Sequence, residues 1–175
     1  MDLLARLRTG RPELDIYLND HLTGATGGVE LIRRMADTHR GTDRAPAFAR
    51  LAAEISEDRD ALLGFMAELG VPARALWIAL GWAAERVGRL KTNGRLVTRS
   101  PLSDVLELEA MSTGVYAKSS LWHALRTLAD HDVRLDAARL DVLLGRAADQ
   151  VSRLEELHRA SVPASLKPAV TTATD

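Results

Sequence analysis

The stretch QVSRLEELHRASV, residues 150–162, places Glu155 and His158 three residues apart in a segment patterned as a helix. Side chains at that spacing project from one helix face. A carboxylate and an imidazole so placed can serve as two ligands to a transition-metal ion. The same spacing also arises on a charged helix surface, where Glu155 and His158 would be solvated residues flanking a Leu154/Leu157 seam, with Arg153 and Arg159 nearby. Which description applies depends on the elements that carry the pair.

A chain of 175 residues suits one domain with a sizeable core. Hydrophobic residues make up 46% but aromatics only 4%, so the core must be built from Leu, Ala, Val and Ile, which favours close helix packing. A formal net charge of -1, without a dense basic run, argues against nucleic acid as a partner. The absence of cysteine excludes disulfides, Cys-ligated zinc, iron–sulfur clusters and thiol catalysis. No Gly-x-Ser-x-Gly elbow occurs, and GATGG lies within a helical pattern rather than after a strand, so neither a hydrolase nor a phosphate loop is indicated. The opening MDLLARLRTGRPELD has no signal-peptide pattern. The longest apolar run, ALWIALGWAA, is about half the ~20 residues a bilayer span requires. A soluble, cytoplasmic chain without a transmembrane segment is the expectation.

Apolar and small residues step by three and four through Leu14, Leu18, Leu22, Ala25, Val29, Ile32 and Ala36, predicting a helix from Pro12 to about His39. Gly24, Gly27 and Gly28 weaken its middle, and a closely passing helix would account for them. A second helix over about 46–69 carries Phe48, Leu51, Ile55, Leu62, Phe65 and Leu69 and stops at Gly70. A third, over about 72–91, is apolar nearly all round at its start. A fourth, over about 101–130, is expected to turn Leu102, Val105, Leu106, Glu109, Thr113, Tyr116, Ser120, Ala124 and Leu128 inward from a start at Ser100 or Ser103. A fifth, over about 134–161, groups Leu140, Leu143, Ala147, Val151, Leu154 and His158, and Pro163 is expected to end it. Residues 1–11 form an N-terminal segment, 12–162 the helical bundle domain, and 163–175 a disordered tail.

Two short-turned helical hairpins separated by some thirty residues make a four-helix bundle with one long crossover. In this architecture, with its single Glu-x-x-His, the chain over roughly 12–162 resembles the ferritin-like superfamily. The resemblance implies an all-α, ferritin-like four-helix bundle with an additional crossover helix. It also implies a di-iron or di-manganese carboxylate centre, in which two helices each give a Glu and two give Glu-x-x-His. Carried over, Glu155, His158 and Glu109 would be ligands, with Glu54, Asp58 and Glu30 completing the far side. The match is partial: the second helix offers Glu57 where the motif has His, and His21 lies roughly 15 Å too deep by helical rise.

Two functions follow. The first is a non-catalytic interaction or structural module, with Glu109 and the other acids neutralised by arginines, which supply 20 of the 23 basic residues. The second is an iron or manganese protein acting on oxygen, peroxide or iron itself. The crossover stretch, through Trp77, Ile78 and Trp82, is the expected interface of a homo-oligomer, a dimer first of all, and Trp122 could extend that patch.

Overall fold

The computed structural model describes residues 12–74, 100 and 102–166. Four helices occupy nearly all of them: α1 Pro12–Thr38, α2 Ala45–Leu69, α3 Leu102–Ala129 and α4 Ala137–Leu166. Among the described residues there is no strand. The described residues are therefore all-α, as the periodicity predicts. Residues 72–74, the start of the predicted crossover helix, have no regular secondary structure. The remainder of that segment, with Trp77, Ile78 and Trp82, lies outside the described residues, as does the tail beyond Leu166.

Local chemistry sets the helix ends. Gly70 closes α2 with φ 72°; its N–H donates to the Ala67 carbonyl at 3.1 Å and that of Val71 to Met66 at 2.8 Å. This is the paired 6→1 and 5→2 pattern that needs a left-handed residue after the last turn. The N–H of Leu102 donates to Ser100 Oγ at 3.3 Å, so Ser100 starts α3. Asp136 caps α4, accepting from the Arg139 N–H at 3.1 Å. Pro163 does not end α4, which continues to Leu166. In the final turn a proline forfeits a single backbone bond, toward the carbonyl four residues back, and Ser165 Oγ continues the pattern by donating to the Ser161 carbonyl at 2.9 Å.

Cross-helix contacts give the topology. Arg44 at the start of α2 meets Ser161 near the end of α4, and Arg139 at the start of α4 meets Glu68 near the end of α2. These helices are therefore antiparallel. His39 and Arg34 at the end of α1 meet Asp104 and Glu107 at the start of α3, making that pair antiparallel too. With the hairpins α1/α2 and α3/α4, the order is up-down-down-up. The end of α2 and the start of α3 thus stand at opposite ends of the bundle.

The core follows alternating steps of three and four. In α2, Phe48, Leu51, Ile55, Leu62, Phe65 and Leu69 are all buried, as predicted. Leu18, Leu22, Val29 and Ile32 of α1 are buried with Met35, and Leu140, Leu143, Ala147 and Leu154 of α4 join them. The face of α3 differs from the predicted one. Leu108, Met111, Val115, Trp122 and Leu125 point inward, while Glu109, Thr113, Tyr116 and Ser120 are exposed. Two stripes compete on this helix, and the one with more apolar area wins at roughly 25 cal/mol per Å². Trp122 is accordingly a fully buried core residue, its ring 6.1 Å from that of Phe65, and takes no part in a surface patch. The glycines of α1 also need correcting. A Cβ at Gly28 would just touch Met111, at 4.0 Å, but one at Gly24 would meet nothing. Close helix approach does not explain Gly24.

Candidate functional site

Halfway along the bundle, one polar residue from each of three helices breaks the apolar interior. Asp58 of α2, with a side chain 1% exposed, faces Lys118 of α3 and Gln150 of α4. Lys118 Nζ lies 2.5 Å from Asp58 Oδ2 and donates equally to Gln150 Oε1, while Gln150 Nε2 donates to Asp58 Oδ2 at 3.0 Å. Arg146 Nε stands 3.0 Å from Asp58 Oδ1, off the hydrogen-bond axis, so that contact is coulombic. Its guanidinium also donates to Glu57 at 2.6 Å. One turn along, Glu54 accepts from Arg153, from Arg50 at 2.9 Å and from Gln150 at 3.3 Å.

Desolvation dominates the titration here. Burial pushes the Lys118 ammonium below the ordinary lysine value, and the attraction of Asp58 offsets this only in part. Burial pushes the Glu54 carboxyl up, but hydrogen bonds from Arg153, Arg50 and Gln150 outweigh it and leave the group below its ordinary value.

The residues expected to be ligands fall into separate groups. Glu54 and Asp58 belong to this network. Glu109 and His158 meet across α3 and α4 with Oε1 and Nε2 3.1 Å apart, on the surface, where the Glu109 side chain is 56% exposed. Glu155 does not join them; it accepts from the Tyr116 hydroxyl at 3.3 Å. Glu30 is an exposed partner of Arg33 at 3.4 Å. The inward acid of α3 is Glu107, whose side chain is 5% exposed and pairs with Arg34 at 3.3 Å. Among the described residues, no three His, Asp or Glu side chains gather closely enough to hold a metal ion. The donor set at the midline does not fit one either. The oxygens of Asp58 and Glu54 are committed to an ammonium, three guanidiniums and an amide, and a divalent cation there would meet like charge.

Lys118, Gln150, Arg146 and Arg153 escape sequence reasoning because polar residues in a helix are read as solvated. The available signal was spacing: Asp58, Lys118 and Gln150 each occupy the core-facing step between two apolar residues. The histidines lie elsewhere. His39 stacks on Phe48 at 4.5 Å and pairs with Asp104 at 3.5 Å. His21 packs edge-on against Tyr17 at 4.5 Å, and burial lowers its pKa against the pull of Asp20. Among the described residues, no helix is long and apolar enough to cross a membrane. Comparison with protein-family models, curated proteins and solved structures returns no match to this chain.

Proposed function

We propose that this chain is a ferritin-like helical bundle that serves as a non-catalytic interaction or structural module, its midline occupied by an internal ion-pair network rather than a metal centre. The observation carrying this reading is the neutralisation of Asp58 and Glu54 by Lys118, Arg146, Arg153 and Arg50. Carboxylates already neutralised by fixed cations could bridge a metal only by displacing those cations or by bringing like charges together. The up-down-down-up order, with α2 ending opposite the start of α3, supports the ferritin-like part of the reading. The partner we assign is a second copy of the chain, meeting it through the stretch of Trp77, Ile78 and Trp82.

Elemental analysis tests the proposal, using protein expressed with supplementary iron and manganese and purified without a metal-affinity tag. Background metal in the parent and in a Glu155→Ala/His158→Ala variant is expected. About two metals per chain, lost in the variant, would instead establish the di-iron or di-manganese reading, which the Glu109–His158 contact favours. Light scattering at micromolar concentration should show a dimer; a monomer throughout would remove the assigned partner.

A further inference from the structure

The apolar seams of this bundle repeat, and a repeating seam is ambiguous. The internal residues of α2, α3 and α4 alternate steps of three and four, a seven-residue period. Sliding one helix past another by seven residues, roughly 10 Å, presents almost the same apolar surface. Within each hairpin the short turns at 39–44 and 130–136 forbid such a slide. Between hairpins no short turn acts, because α2 and α3 are separated by residues 70–101.

We infer that the buried layer of Asp58, Lys118 and Gln150 is a register lock, fixing how the α3/α4 hairpin seats against the α1/α2 hairpin. The layer joins the two units directly: Asp58 belongs to the first, Lys118 and Gln150 to the second. Displaced by one period, Asp58 would face Leu125 and Leu143 in one direction, or Met111 and Leu157 in the other. Its carboxylate would then lose the ammonium and the amide that hydrogen-bond it, keeping only a guanidinium neighbour as Arg139 or Arg153 comes to the place of Arg146, and Lys118 would come level with Leu51 or Phe65. Surface pairs such as Glu68–Arg139, both side chains well exposed, discriminate far less. A single polar step in an otherwise apolar seam specifies register at a cost in stability. The lowered ammonium pKa of Lys118 is a sign of that cost.

Spin labels at Ala53→Cys on α2 and Ala138→Cys on α4 read the register, in a chain that has no cysteine of its own. Both sites are exposed. The parent should give one inter-label distance. In Asp58→Leu/Lys118→Leu/Gln150→Leu, helix content and Tm should be no lower, and a second distance should appear. A relocated layer, Lys118→Leu/Gln150→Leu/Leu125→Lys/Leu143→Gln with Asp58 kept, should move the whole population to a distance shorter by on the order of 10 Å. The parent distance persisting alone in both variants would overturn the inference, and so would a triple variant that has lost its helix content.

Discussion

Between α1 and α3 the hairpins meet with Gly28 facing Met111, and the Arg34–Glu107 ion pair and the His39–Asp104 contact stand at one end. Between α2 and α4, charged and amide side chains cross at every level, from Arg44–Ser161 through Glu54–Arg153 and Asp58–Arg146 to Glu68–Arg139. The internal residues of α2 and α4 share one apolar periodicity, so periodicity alone cannot decide at what height these two helices pair. Polar residues set in an apolar stripe can, because a buried charge has few acceptable neighbours and a leucine has many.

The comparison breaks most sharply at Asp58. Asp58→Ala leaves Lys118, Arg146 and Gln150 facing one another in the interior and should cost about 3–5 kcal/mol in denaturant unfolding. Adding Lys118→Met should recover much of that loss, since removing both members of a buried pair is far milder than removing one. At the other seam, Arg34→Ala strips the guanidinium from Glu107 and should cost roughly 1–3 kcal/mol. An equal or larger loss there would reverse the ranking of the seams.

Smaller effects sharpen the picture. Gly24→Ala and Gly114→Ala add a Cβ that meets nothing within 4 Å, and each should raise stability by about 1 kcal/mol in thermal unfolding. The pH profile follows from two groups. Glu54 has a folded pKa below its ordinary value of 4.5, so the unfolded chain binds more protons between the two values. Its contribution is complete above pH 4.5 and is lost as the pH falls through the folded value; Glu54→Gln should flatten that acid limb. Lys118, also lowered, carries a penalty at neutral pH that is relieved as the pH climbs toward 10.5, and Lys118→Met should abolish that alkaline gain.

The fold was legible where one stripe dominates. Every predicted core position of α2 is buried, because no rival face there carries comparable apolar area. On α3 the stripe through Leu102, Leu106 and Leu128 competes with that through Leu108, Met111 and Leu125, and the inward acid is Glu107 rather than Glu109. Asp58 could be placed on the apolar face from its spacing. Its partners could not, since Lys118 and Gln150 acquire meaning only when two hairpins bring them to the same height. The Glu155–His158 spacing that first draws attention yields a surface His158–Glu109 contact, with Glu155 turned toward Tyr116. A three-residue step fixes a face but not its depth.

The most direct test is a double-mutant cycle on Asp58→Ala and Lys118→Ala, followed by chemical unfolding in buffer containing a chelator. An internal ion pair predicts a coupling of about 1–3 kcal/mol, with the parent's midpoint unchanged by the chelator. Additivity within about 0.5 kcal/mol, together with a parent that the chelator destabilises, would contradict it and return the midline carboxylates to a metal.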